Sequence, residues 1–155
     1  MTSIARRLSL GGLAAIFLVI WNAGNHRNAA QAQPRPSLTA TRFYTGPDGQ
    51  THAEEVELKL AAARVGVDQS EALNATRLQF ARRHPGNVDD WHTTRSHQYA
   101  ITLTGRGEFE VAEGKKVTLE PGHVFLVDDL TGKGHITRTL GNEDWTVMVV
   151  NLTNP

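Results

Sequence analysis

Two histidine-bearing segments contain the side chains of this sequence that are best suited to chemistry. Residues 90–98 include His92 and His97, and residues 131–135 end on His135. A neutral imidazole binds transition metals, and it also acts as a general base near neutral pH, so both uses are open to these residues. The chain contains no cysteine, which excludes disulfides and thiol chemistry.

Short strands separated by turns must hold these histidines in place. Apolar residues alternate with polar ones near residues 55–60 and 77–80, and turn signatures stand at residues 46–49 and 85–87. Further strands are predicted at residues 41–44, 98–104, 107–112, 115–119, 123–127, 135–139 and 145–151. We expect a short helical turn or a loop at residues 61–72, and no later segment has a helical period. Evenly spaced short strands predict an all-β sandwich or barrel.

Alternation along a strand predicts which side chains share a face. If Gln98 points into the barrel, Ala100 and Thr102 point inward with it. His135 pointing inward takes Thr137 and Thr139 with it. The outward face of the same strand as Gln98 is bulkier and apolar, which predicts that it is covered by a second sheet or by a dimer partner. Its members are Tyr99, Ile101 and Leu103.

The spacing of glycines and histidines resembles the two sequence motifs of cupin barrels. In the first motif Gly86, His92 and Gly105 stand at the expected glycine and histidine positions. Thr94 replaces the second histidine of that motif, and Gln98 replaces its glutamate. The second motif is looser, with a proline-glycine turn at residues 121–122, then His135, and Thr139 in place of an asparagine.

This resemblance, over about residues 41 to 151, implies a cupin-like small β-barrel, or jelly roll, and a site inside it. It implies that His92, Gln98 and His135 stand at metal-ligand positions for a divalent ion such as Fe, Zn, Ni or Mn. A carboxamide in place of a carboxylate removes one negative charge, so we expect weak metal binding. The residues expected to contact a small polar substrate are Thr94, Ala100, Thr102 and Thr137.

Three functions from different classes fit this pattern, because one barrel hosts many activities. The first, which we favour, is an enzyme that uses a metal held by the two histidines and the glutamine. The second is a metal-free isomerase-like cupin in which His92 or His135 is the general base. The third is a non-catalytic cupin that binds a small ligand.

Other titratable residues are expected to be structural. Asp90 is a candidate to orient His92, although a solvated loop is as good an account. Asp128, Asp129 and Lys133 are expected at an exposed hairpin tip before His135.

The first 32 residues are typical of a signal peptide. Arg6 and Arg7 form a positive start, residues 8–21 an apolar run, and residues 30–32 a small-residue cleavage site. The apolar run is shorter than the roughly 20 residues that span a bilayer, so we expect no stable membrane span after cleavage. The chain is thus divided into a signal peptide at 1–32, a flexible lead-in at 33–40 and a cupin domain at 41–155, exported to the periplasm or the extracellular space.

Composition narrows the possible partners. The chain has 155 residues, enough for one domain, with 16 basic and 16 acidic side chains. Arg6, Arg7 and Arg27 belong to the signal segment, which leaves 13 basic against 16 acidic side chains in the rest. A mildly acidic domain attracts no polyanion, so we expect no nucleic acid partner. We expect a small-molecule ligand and a homodimer.

Overall fold

The computed structural model describes residues 35–153, and almost all of its regular structure is β-strand. A single 3-10 turn lies at Ala112–Gly114. The strands, numbered β1 to β12 in chain order, are Thr39–Thr45, Thr51–Glu57, Ala61–Arg64, Val67–Gln69, Ala75–Arg83, Val88–His92, Gln98–Thr104, Arg106–Glu110, Lys116–Leu119, Val124–Asp128, His135–Leu140 and Trp145–Leu152.

The strands form two principal sheets and a separate hairpin. The larger sheet has the order β2-β1-β10-β7-β12-β5 and the smaller one β6-β11-β8-β9, while β3 pairs with β4. Every pairing is antiparallel except that of β1 with β10. Strands consecutive in sequence often lie in different sheets, as in a jelly roll. The prediction of an all-β, cupin-like jelly roll is confirmed.

The core lies between the inner faces of the two sheets and is rich in aromatic rings. Phe43 is fully buried, and its ring centroid lies 4.8 Å from that of Phe109 on the facing sheet. Phe109 also makes edge contacts with Phe125 and Trp145, at 5.7 and 6.4 Å between centroids. Burying a side chain of this size stabilises a fold by roughly 1.5–3 kcal/mol. Phe109 therefore joins the two sheets at the centre of the domain.

The prediction for residues 61–72 was wrong, because this segment contains the β3–β4 hairpin. Ala61 pairs with Gln69 across the turn. Gly66 has a φ of +75°, a conformation open to glycine at little cost, and it lets the chain reverse within two residues. The local turn thus outweighs the helix preference of the alanines at 61–63.

Alternation on β7 gives the faces expected from the sequence. Ala100 and Thr102 are buried, whereas Tyr99 and Ile101 are half-buried and Leu103 is exposed. In strand β5 the two faces are reversed relative to an ordinary half-buried strand, because the apolar side chains point outward. Its apolar side chains Leu78 and Phe80 are 56% and 67% exposed.

The N-terminal predictions fall largely outside the described residues. The signal peptide at 1–32 lies wholly outside them, and of the lead-in at 33–40 the last two residues, Thr39 and Ala40, belong to β1. Between residues 35 and 153 there is no helix long and apolar enough to cross a membrane.

Candidate functional site

A polar cavity of about 480 Å³ lies between the two sheets, beside the aromatic core. The end of β6, the loop after it, and strands β5, β7, β11 and β12 contribute to its walls. His92, Gln98 and His135, the three expected metal ligands, all line this cavity, as do Thr94 and Thr137. The fold therefore brings together five of the seven residues singled out from the sequence.

Ala100 and Thr102 do not line the cavity. Ala100 packs within the apolar core. The hydroxyl of Thr102 accepts a hydrogen bond from Trp145 Nε1 at 3.2 Å and donates one to the Leu119 carbonyl at 3.4 Å. Both point inward, but the inner face of β7 passes from pocket to core between Gln98 and Ala100.

His92 and His135 form a pair on neighbouring strands of the smaller sheet. They are directly opposite in the β6–β11 register, and their ring centroids lie 4.5 Å apart. Gly134 makes this approach possible: a Cβ there would lie only 2.0 Å from the His92 carbonyl oxygen, and its φ is +78°. Any other residue at 134 would force the two strands apart.

Both imidazoles are held by a hydrogen bond at Nδ1. His92 Nδ1 donates to the Asp90 carbonyl oxygen at 2.7 Å, and His135 Nδ1 donates to Asp129 Oδ2 at 2.6 Å. Donation from Nδ1 selects the tautomer with a lone pair on Nε2, the state that binds a metal or accepts a proton. Among residues 35–153 neither Nε2 has a hydrogen-bond partner. Asp90 orients His92 through its backbone rather than through its carboxylate.

Asp129 is fully buried, which corrects the expectation of an exposed hairpin tip. Its Oδ2 accepts hydrogen bonds from His135 and from Thr51 Oγ1, the latter at 3.0 Å. Its backbone carbonyl accepts the Thr94 amide at 3.2 Å. The neighbouring Asp128 faces another side and pairs with Arg42 and His97. Two adjacent aspartates in the sequence suggest a solvated loop, but here each carboxylate binds charged or polar side chains from other segments of the chain.

Gln98 is anchored by its cross-strand neighbour Asn151. Its Oε1 accepts from Asn151 Nδ2 at 3.3 Å, and the same Nδ2 donates to Ser96 Oγ at 2.7 Å. Thr94 Oγ1 donates to the Ser96 carbonyl at 3.1 Å, so its hydroxyl is engaged within its own loop. This network fixes the carboxamide against the pocket wall.

Sequence reasoning missed several polar residues that line the cavity. The inner face of β5 contributes Arg77, Gln79 and Arg83, while Arg95 comes from the loop after β6 and Asn151 from β12. The alternation of polar and apolar side chains along β5 was the signal that could have pointed to them. A strand that exposes its apolar side chains must place its polar ones over a pocket if the other face is enclosed.

The remaining histidines of the described chain lie outside the cavity. His123 Nε2 lies 2.7 Å from Thr41 Oγ1, in agreement with a structural role, and His97 is bonded to Asp128 at 2.7 Å on the outer face. Tyr99 lies on that outer face as well, where burial first, and then the negative charge of Asp128, raises the pKa of its phenol. His52 and His84 each lie near an exposed aspartate.

The donor set fits only a weakly held metal ion. In the part of the chain that the structure describes, no group of three His, Cys, Asp or Glu side chains is placed to hold one. Two neutral imidazoles and a carboxamide oxygen are usable ligands for a divalent ion, but no carboxylate among them offsets its charge. The buried charge of Asp129 acts one bond further out, through His135.

Comparison with known proteins finds several solved structures to which the chain is similar. No family model and no curated protein matches the sequence. The chain is similar to a solved protein of unknown function from Rhizobium leguminosarum bv. viciae, at 21% identity and a TM-score of 0.42, over 50% of this chain and 69% of the other. It is also similar to a cupin-2 domain containing protein from Shewanella frigidimarina, at 13% identity and a TM-score of 0.40, over 49% and 69%.

A third similar structure is the polyketide cyclase RemF from Streptomyces resistomycificus, at 16% identity and a TM-score of 0.44, over 52% of this chain and 56% of that one.

We predict that Asp129→Asn changes the tautomer of His135. A carboxamide is a weaker acceptor than a carboxylate and no longer imposes Nδ1 donation, so the Nε2–H form gains population. Nitrogen chemical shifts of the labelled imidazoles measure this directly. Asp128→Asn is the matched control, since Asp128 contacts His97 instead. An unchanged His135 tautomer in Asp129→Asn would show that the carboxylate does not orient this ring.

Proposed function

We propose that this protein is an exported single-domain cupin that holds a divalent metal weakly through His92, Gln98 and His135 and acts on a small polar organic molecule. The observation that supports it best is the pair of imidazoles beside one cavity. Each donates a hydrogen bond from Nδ1 to an oxygen and leaves Nε2 free. A packing role would not require both rings to be held in the same tautomer.

When bound, such a metal supplies a Lewis acid at the end of the cavity nearest the histidines. Other residues of the chain position the proposed ligands. Asp129 keeps His135 in the ligating tautomer, and Asn151 holds Gln98 in place. Phe109 stacks on His135 with centroids 4.1 Å apart and excludes water from one face of the ring.

A second candidate function is supported by the same buried carboxylate. A carboxylate bonded to imidazole Nδ1 is the arrangement that orients a general base, with Nε2 receiving the proton. In that case His135 acts without a metal, as in an isomerase-like cupin, and Asp129 is its positioning residue.

We predict that Gln98→Glu strengthens binding of zinc or nickel by about tenfold or more, because it adds a negative charge to the proposed first shell. Calorimetric titration of the purified, metal-stripped protein measures the affinity. His92→Ala and His135→Ala are expected to abolish binding at the same concentrations.

Gln79→Glu is the matched control for this charge. It adds the same carboxylate to the same cavity, on β5 rather than at the ligand position. If Gln79→Glu and Gln98→Glu raise the affinity equally, Gln98 is not a ligand. If the wild-type protein and Gln98→Glu both fail to bind either metal, the metal-free candidate stands in place of the metal enzyme.

We also propose a homodimer through the outer face of the larger sheet. Two apolar rows cross four neighbouring strands there, following the strand registers. They are Phe80, Met148, Ile101 and Val124, and Leu78, Val150, Tyr99 and Leu126. An apolar face of this kind suits an isologous contact between two copies of the chain.

We predict that Phe80→Glu converts the dimer to a monomer at micromolar concentration, because a carboxylate cannot be buried unpaired in an apolar interface. Sedimentation velocity measures the change. Val88→Glu is the control, since Val88 is 56% exposed on β6 of the other sheet. A wild-type protein that sediments as a monomer would remove this proposal.

Export is proposed from the first 32 residues. We predict that the protein recovered from the periplasm or the medium begins at Gln33, the residue after the cleavage site. N-terminal sequencing checks this, and retention of the intact N-terminus in the cytoplasm would contradict it.

A further inference from the structure

Among the described residues, the side chains that line the cavity include three arginines and no carboxylate. Arg77, Arg83 and Arg95 line it, and no Asp or Glu of residues 35–153 does. This contrasts with the remainder of the described chain, in which acidic side chains outnumber basic ones. A concentration of guanidinium groups at one cavity favours an anionic ligand, since arginine matches carboxylate oxygens with two parallel hydrogen bonds.

Two of the three arginines are available to a ligand. Arg83 is neutralised by a close salt bridge to Asp89. Arg77 and Arg95 have no ion-pair partner among the described residues, and both are exposed, as expected for groups at the mouth of the cavity. An incoming anion therefore does not have to displace an internal carboxylate.

Arg77 stands in a row with the polar groups of the site. It pairs with Asn151 in the β5–β12 register, and Asn151 pairs with Gln98 in the β12–β7 register. Directly opposed residues on antiparallel strands have Cβ atoms about 4.5–5.5 Å apart. The row thus runs in short steps from the guanidinium at the edge strand to the carboxamide beside the histidines.

Four buried side-chain oxygens of the described residues have no partner, and two of them, on Thr137 of the smaller sheet and on Asn151 of the row, belong to residues that line the cavity. Thr137 is only 1% exposed and lines the cavity, and its Oγ1 makes no hydrogen bond. Asn151 uses its Nδ2 twice, while its buried Oδ1 is unpaired. Buried polar atoms are nearly always hydrogen-bonded, so these two oxygens point to groups supplied by a ligand. A carbonyl acceptor such as Asn151 Oδ1 calls for a donor, and a ligand hydroxyl provides one.

We propose that the ligand of this cavity is a small hydroxycarboxylate, whose carboxylate lies between Arg77 and Arg95 and whose hydroxyls reach Asn151 Oδ1 and Thr137 Oγ1. This deepens the proposed function by naming the class of its polar molecule, and it does not require the metal. A cavity of about 480 Å³ is within the range of small-molecule sites and suits a chain of several carbons.

The test is a calorimetric titration of the purified protein, with EDTA present, using lactate, gluconate and galacturonate as probes. Sorbitol matches gluconate without its charge, and hexanoate matches its chain length and charge without hydroxyls. At least one hydroxycarboxylate is expected to bind saturably at millimolar concentration or below, and more tightly than both matched compounds. Equal binding of sorbitol, or no binding of any of the three probes, would overturn the proposal.

Variants assign the two ends of the ligand. Arg77→Gln and Arg95→Gln are each expected to weaken binding of the best probe about fivefold, a modest factor because exposed ion pairs are screened by water. Arg82→Gln is the control, since Arg82 neighbours Arg83 on β5 but does not line the cavity. Thr137→Val is expected to weaken the hydroxycarboxylate and spare hexanoate. A loss in Arg82→Gln equal to that in Arg77→Gln would refute the assignment.

Two further arms separate this proposal from its neighbours. If inorganic phosphate binds more tightly than every hydroxycarboxylate, the proposed ligand class is wrong and the anionic group is a phosphate. Zinc binding by the wild-type protein without any hydroxycarboxylate binding would overturn this inference and leave the metal site standing. Hydroxycarboxylate binding through Arg77 without zinc binding would support this inference and overturn the proposed metal site.

Discussion

The buried carboxylate of Asp129 is the constraint on which the site depends. A charge removed from water is costly unless donors bind it, and here Thr51 and His135 donate to Oδ2 from two different strands, while Oδ1 has no partner among the described residues. The backbone of the same residue holds the loop that carries Thr94. Removing either donor leaves the buried carboxylate with a single side-chain partner, so the position of His135 depends on the same group that binds Thr51 of β2.

Phe109 lies at the boundary between the aromatic core and the cavity. One side of its environment is the aromatic core with Phe43, Phe125 and Trp145, and the other is the stacked ring of His135. The same ring that joins the sheets therefore also sets the floor of the cavity. Changes in the core next to Phe109 therefore reach the site through this stacked ring and through the pairing of Phe109 with Thr137.

Alternation in the sequence predicted most of the strands but not β3, β4 or β6. The resemblance to the cupin motifs placed His92, Gln98 and His135 at one site, and these three residues do line one cavity. The sequence did not reveal that Asp129 is buried, since burial of a charge is decided by donors distant in sequence, such as Thr51. Nor did it show where pocket ends and core begins along β7. That boundary depends on the facing sheet, and it separates Gln98 from Ala100 although both point the same way.

Strand β5 is inserted with its polar face toward the interior and with Leu78 and Phe80 toward the outside. A slip of one residue against β12 would invert every side chain of the strand, turning Leu78 and Phe80 into the cavity and Arg77 and Arg83 to the outer face. In a single copy of the chain, burial of apolar area alone would favour that slipped form, whereas the proposed dimer would bury Leu78 and Phe80 on the outer face. The open cavity is thus a structure held against the hydrophobic effect, kept in register by polar anchors such as the contact between Arg83 and Asp89. The edge strand that lines the cavity is accordingly the element at which an error of register would close it.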